Sequence, residues 1–288
     1  MKTCVSTYSF GPYVGSLGIL GVIDKAAELG FEGIEYVDGD WSENLSPAVA
    51  DACRARAEER GLAAVSYCTG ADFVRGSGGD LDAEVARVCR HLDFAARLGV
   101  KNMRHDVAGA PAPGQGASEY WGISYDALLP RMAEGIRRVA EYAASLGIGT
   151  MTENHGYFSQ DADRVEKLIN TVDHPAFGAL VDIGNFMCAD EKSARSVGIL
   201  ARYCKHVHVK DFHFKSGSEM APGNGWFTTR GGDYLRGAIL GSGAVPVAQC
   251  IRVLKNAGYD GYLSIEFEGC EDHLRGIEWG LAFLRRCL

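Results

Sequence analysis

The sequence has no run of eighteen or more apolar residues, so nothing in it reads as a membrane-spanning helix. The first residues, Met1 to Tyr8, lack the apolar core of a signal peptide and read instead as a strand. There is no Lys/Arg run, and 29 basic against 37 acidic side chains leave a net charge of −8. That balance excludes a broad electrostatic footprint for nucleic acid or anionic membranes, though not a local basic pocket. No Cys-x-x-Cys occurs among the nine scattered cysteines, so zinc-ribbon and redox motifs find no support. An odd number of unpaired-looking cysteines points to free thiols and to the cytoplasm. Nor is there a P-loop. Leu240-Gly241-Ser242-Gly243 is only a weak phosphate-loop candidate, and an unphosphorylated sugar or glycoside is the favoured ligand on that ground.

What the chain has is a repeated phrase: an apolar-patterned helix, a glycine, then a short apolar run. It occurs at Ala26-Ala27-Glu28-Leu29-Gly30, at Ala95-Ala96-Arg97-Leu98-Gly99 and at Ala143-Ala144-Ser145-Leu146-Gly147. Glycine just past a helix takes the left-handed conformation that closes the helix end, and a tight turn then feeds a buried strand. Such units in series require parallel strands. Eight strands are expected, near 3–9, 32–38, 62–68, 100–107, 148–154, 178–184, 205–211 and 261–268. Eight helices alternate with them, near 17–29, 46–60, 80–98, 124–146, 160–172, 190–202, 245–257 and 271–286. With 288 residues, 47% of them hydrophobic, this describes one α/β domain over 1–288, a (βα)8 TIM barrel. The Pro/Gly-rich stretch from Ala110 to Gly116 and the region 212–244 read as long loops on the active-site face.

Ionisable residues cluster at the ends of the later strands. Strand five ends Thr152-Glu153-Asn154-His155, strand six Val181-Asp182-Ile183-Gly184-Asn185, strand seven His206-Val207-His208-Val209-Lys210-Asp211, and strand eight Ser264-Ile265-Glu266-Phe267-Glu268. Adjacent strands lie about 4.8 Å apart, so inward side chains from four neighbours can meet around one ion. A single buried carboxylate at a strand end is as often structural as functional. Several together repel one another unless a cation intervenes. A mostly oxygen donor set suits one divalent ion, Mn²⁺, Co²⁺, Mg²⁺ or Zn²⁺.

These strand-end phrases, together with Gly33-Ile34-Glu35, resemble the sugar phosphate isomerase/epimerase superfamily with its xylose isomerase-like TIM barrel, over essentially the whole chain. The resemblance implies Glu153, Asp182, His208 and Glu266 as metal ligands, with His206 a core or rim neighbour. It implies a small-molecule carbohydrate substrate, and leaves homo-oligomers open. Two positions depart from the ketohexose epimerases of that group. Ser159 stands where they carry a second Glu, and Phe214 or Lys215 where they carry an Arg. The extra histidines of the DNA-repair branch are missing, which agrees with the negative charge.

On this basis the expected function is a metal-dependent isomerase or epimerase of a small sugar or keto-sugar, acting through a metal-stabilised enediolate. Glu153 and Glu266 would exchange the proton from opposite sides. The alternatives are a lyase on the same scaffold and a non-catalytic sugar-binding barrel. His155 shares a face with Glu153 and is a candidate general acid or base, or else an orienting partner of Glu153. His105 stands at the same offset from Gly99 as Glu153 from Gly147, which points it into the barrel mouth as a substrate contact. Lys210 would hold a substrate oxygen or form a structural ion pair. Trp121 and Trp226 would stack on a sugar or pack under their own loops.

Overall fold

The computed structural model describes residues 1–109 and 122–288; Trp121 and the stretch from Ala110 to Gly116 lie outside them. Eight parallel strands close into a barrel. In chain order they are β1 (Lys2–Ser6), β2 (Gly33–Val37), β3 (Ala63–Thr69), β4 (Asn102–His105), β5 (Gly149–Glu153), β6 (Phe177–Asp182), β7 (Cys204–Val209) and, after three strands of a separate sheet, β11 (Tyr262–Ile265). The hydrogen-bonded order is β1-β11-β7-β6-β5-β4-β3-β2, closing back on β1. Among the described residues eight α-helices ring it: α1 (Gly11–Leu29), α2 (Pro47–Glu59), α3 (Leu81–Leu98), α4 (Tyr125–Ser145), α5 (Ala162–Val172), α6 (Ser193–Leu200), α7 (Val247–Asn256) and α8 (His273–Cys287). All eight expected strands and helices are present, but α1 begins at Gly11 rather than near 17, β1 ends at Ser6 where a 3-10 turn over Thr7–Phe10 follows, and β11 ends at Ile265.

The glycine turns work as anticipated. Gly30 and Gly99 adopt φ of 85° and 84°, and each amide donates back to the last helical turn. A side chain there would meet the left-handed penalty of about 1–2 kcal/mol. The main core fills the space between barrel and helices, where Ile34, Met103, Val181, Val207 and Leu263 meet Leu92, Ile136 and Leu168, all fully buried. Inside the barrel a small apolar plug of Cys68, Met151 and Leu180 forms its own cluster.

The region 212–244 is not simply a loop. It contains a three-stranded antiparallel sheet of β8 (Asp211–Lys215), β9 (Phe227–Thr228) and β10 (Tyr234–Ala238), in the order β8-β10-β9. Phe212 and Leu235 bury one side of it, and Phe212 meets the Phe227 ring edge-on at 5.6 Å. The Asp211 carboxylate then accepts from the amides of Phe212, Gly241, Gly243 and Val245 at 2.9–3.0 Å. The Gly241 and Gly243 amides belong to the weak phosphate-loop candidate, and the chain's own carboxylate occupies them. The hairpin was missed because its strands are short and separated by eleven and five residues of polar, glycine-rich connection.

Candidate metal centre

Strand register brings the four expected ligands together. Glu153 and Asp182 are the last residues of β5 and β6, His208 pairs with Asp182 across β6 and β7, and Glu266 follows directly on β11. One donor atom from each lies within 4.8 Å of all the others. His208 Nδ1 is 3.4 Å from Glu153 Oε1, 3.5 Å from Glu266 Oε2 and 3.8 Å from Asp182 Oδ2. All four side chains are buried or nearly so. His208 Nδ1 and Asp182 Oδ2 face the middle of this cluster without a hydrogen-bond partner. Leaving a buried polar group unpaired costs about 1–3 kcal/mol, so two such atoms aimed at one point need an explanation. Three carboxylates and one imidazole around that point have the chemistry of a divalent-metal site, and the residues fit one.

The charges are arranged in support. Burial pushes the Glu153 carboxyl up, but Arg104 and His208 outweigh it and hold it well below the usual range. For Glu266 burial is overcome by Lys210 and His208, leaving it near 2. Asp182 is different: burial and the neighbouring Glu153 and Glu266 raise it to about 6, with Lys210 only partly opposing. Burial would lower His208, yet Glu35, Glu266 and Glu153 carry it well above the ordinary imidazole value.

Three residues that carry the site escaped the sequence reading. Glu35 on β2 is fully buried and accepts from His208 Nε2 at 2.6 Å, with His206 Nε2 at 2.9 Å from its other oxygen. That bond fixes the His208 ring so that Nδ1 faces the carboxylates, as carboxylate–histidine pairs do behind metals. Arg104 on β4 reaches Glu153 Oε2 at 2.6 Å and Asp106 Oδ1 at 2.8 Å. Asn185, just past β6, donates its side-chain amide to Glu153 Oε1 at 2.9 Å and accepts from Lys210.

The remaining expected residues divide. Lys210 forms ion pairs with Glu266 (2.5 Å), Asp182 (3.4 Å) and Glu268 (3.5 Å), its structural alternative. His155 stands at the rim with its side chain half exposed, 3.0 Å from Asp106 and 3.3 Å from Arg104. Glu153 is oriented by Arg104 and Asn185 rather than by His155. Burial would lower the His155 pKa, but the Asp106 carboxylate turns the balance and raises it. His105 does not enter the barrel mouth. It is fully buried on the outer face of β4, stacked on Phe177 at 5.9 Å and edge-on to Phe73 at 5.5 Å. Asn102 pairs with Gly149, so β4 begins three residues after its glycine and β5 two residues after its own. The equal offsets therefore land on opposite faces, and Arg104 is the inward residue. Trp226 packs against the Arg236 guanidinium at 5.4 Å within its own sheet connection. Ser159 is buried, Phe214 is exposed, and Lys215 pairs with Glu219 at 3.2 Å.

A family model described as xylose isomerase-like TIM barrel matches residues 23–287. Among curated relatives, an inosose dehydratase of Clostridium perfringens (strain 13 / Type A) is 24% identical over 184 residues, covering 62% of this chain and 61% of the relative. The match thus spans about three fifths of that relative's length. A 3-oxo-isoapionate decarboxylase of Pectobacterium atrosepticum is 26% identical over 249 residues, 84% of this chain and 77% of the relative. Among solved structures, a 3-keto-D-glucoside 4-epimerase from E. coli superposes with TM-score 0.73 at 18% identity, covering 100% of both chains. A xylose isomerase-like TIM barrel protein from Mycobacterium smegmatis, in complex with magnesium, gives 0.72 at 21% identity, covering 99% of this chain and 96% of that one. At these identities the structural likenesses establish the fold.

Proposed function

We propose that this chain, which belongs to the xylose isomerase-like TIM-barrel family, is a metal-dependent isomerase or epimerase of a small sugar or keto-sugar. The reading rests on the buried donor set of Glu153, Asp182, His208 and Glu266, two of whose polar atoms have no hydrogen-bond partner. A divalent ion held there would supply Lewis-acid stabilisation of the negative charge that develops on a substrate carbonyl oxygen when the neighbouring carbon loses its proton. The protein supplies the proton transfer. Glu153 and Glu266 flank the set, with β6 and β7 between their strands. One carboxylate removes the carbon-bound proton and the other returns it. Return to the opposite face inverts the carbon; return to the adjacent carbon moves the carbonyl. Arg104 and Lys210 keep these two carboxylates ionised, so either can act as the base, and the proton returned on the far side is drawn from solvent through the second carboxylate.

The test is elemental analysis followed by proton exchange. One divalent ion per chain is expected, lost in Glu153→Gln and His208→Ala. In D2O a panel of ketohexoses and cyclic keto-polyols should show metal-dependent deuterium incorporation at the carbon beside the carbonyl. Wild-type protein that binds neither Mn²⁺, Co²⁺, Mg²⁺ nor Zn²⁺ refutes the reading.

His155 favours a second reading, elimination. Asp106 raises the His155 pKa, and at the rim the protonated ring would give its proton to a departing hydroxide. The name of the inosose dehydratase relative is consistent with it. Loss of water from a cyclic keto-polyol, abolished in His155→Gln while deuterium exchange persists, would select this reading.

A further inference from the structure

Beside the metal centre the barrel mouth opens into a second space that proton transfer does not use. A cleft of about 790 Å³ lies between the start of α1 and the segment after β2. It adjoins the centre through Glu268, whose carboxylate is 3.5 Å from Lys210 and accepts from the Tyr8 hydroxyl at 3.4 Å. Its volume falls in the range of about 300–1,000 Å³ that encloses a drug-sized ligand, more than one sugar ring requires.

The walls define what fits. Val14, Ile19, Val37 and Trp41 give an apolar side, and the half-exposed Tyr8 ring extends it. Such a surface suits the flat face of a ring. The charged groups lining it are Asp38, Asp40 and Glu268, with His273, and among the described residues no Lys or Arg lines the cleft. A phosphate or carboxylate there would meet three carboxylates, and Lys210 behind Glu268 is already paired with Glu266, Asp182 and Glu268. The α1 side is bare: Gly11 and Gly15 face the cleft, and a Cβ on either would meet nothing within 4 Å.

We infer that this cleft is a subsite for the uncharged remainder of a glycoside, whose sugar unit lies at the metal centre, and that sugar phosphates are not the substrate. The inference rests on the function proposed above and narrows its substrate class. The sugar ring sits against Glu153 and Glu266, while the aglycone lies across Trp41 and Tyr8 over the glycine face of α1.

The test uses metal-loaded protein and three probes in calorimetric titrations: p-nitrophenyl β-D-glucoside, D-glucose and D-glucose 6-phosphate. The aryl glycoside is expected to bind at least tenfold more tightly than glucose, and the phosphate no more tightly than glucose. Gly15→Leu should remove the tenfold advantage by filling the cleft, with metal content and melting temperature as in wild type. A glycoside that binds no more tightly than glucose, a phosphate that binds as well as the glycoside, or a Gly15→Leu protein that retains the preference overturns the inference. Failure of the function proposed above would appear separately, as protein that takes up no metal.

Discussion

Glutamate 35 touches no expected ligand atom on the metal side, yet the geometry makes metal affinity depend on it. Glu35→Gln preserves volume and removes the charge that accepts from His208 Nε2 at 2.6 Å. Partners of this kind behind a metal-binding histidine typically contribute about 10–100-fold in affinity. At about 1.4 kcal/mol per tenfold this is roughly 1.4–2.8 kcal/mol, matching one hydrogen bond to a charged group at about 1.5–3 kcal/mol. The effect should depend on pH with a definite sign. Glu35 is foremost among the carboxylates that lift His208 well above its ordinary pKa against the opposing effect of burial. A metal must displace that proton. Removing Glu35 lowers the His208 pKa, so proton competition weakens as the ring loses its anchor. Loss of affinity should therefore be largest at alkaline pH, where only orientation matters, and shrink as pH falls. Competition titration of Mn²⁺ or Zn²⁺ against a chromophoric chelator from pH 6 to 9 measures both, with circular dichroism confirming the fold. A folded Glu35→Gln protein that binds metal within about twofold of wild type at the alkaline end would refute the reasoning.

Lys210→Met removes the cation shared by Glu266, Asp182 and Glu268. Breaking a buried pair costs about 3–5 kcal/mol, so the metal-free melting temperature should fall while added metal raises it more than in wild type; equal metal-induced shifts would count against it. His105 is held neutral by burial, its pKa lowered to about 4. The unfolded chain, with His near 6.5, binds the extra proton between those values. Stability from this group is complete above pH 6.5 and is lost as pH falls toward 4, by about 3 kcal/mol in all. Denaturant titrations of wild type and His105→Gln should differ in slope across that window and nowhere above it. At Gly243 a Cβ would strike Asp211 Oδ1 and the Phe212 carbonyl, so Gly243→Ala should destabilise by about 1–3 kcal/mol, and an unchanged urea midpoint would contradict the role given to Asp211.

The barrel was readable because its evidence is local. A helix-closing glycine and the buried run after it lie within a dozen residues, and three such copies within eight strand–helix alternations leave few parallel-strand arrangements. The clustering of Glu153, Asp182, His208 and Glu266 was readable for a related reason: acidic and imidazole side chains recur at the ends of consecutive barrel strands β5, β6, β7 and β11. What stayed hidden was decided elsewhere. His105 and Arg104 are adjacent in sequence, and one extra residue between Gly99 and β4 determines which of them looks inward. Barrel strands are buried on both faces, so apolar alternation gives no warning of such a shift. Glu35 is hidden more deeply. Its partners His206 and His208 lie more than 170 residues away, and only closure of the barrel through β1 and β11 brings β2 opposite β7. A charge is visible in a sequence, but its counter-charge is not. Carboxylates gathered on neighbouring strands announce themselves by their mutual repulsion. Glu35 and Arg104, each matched by opposite charge from a distant strand, look like ordinary polar residues until the fold is closed.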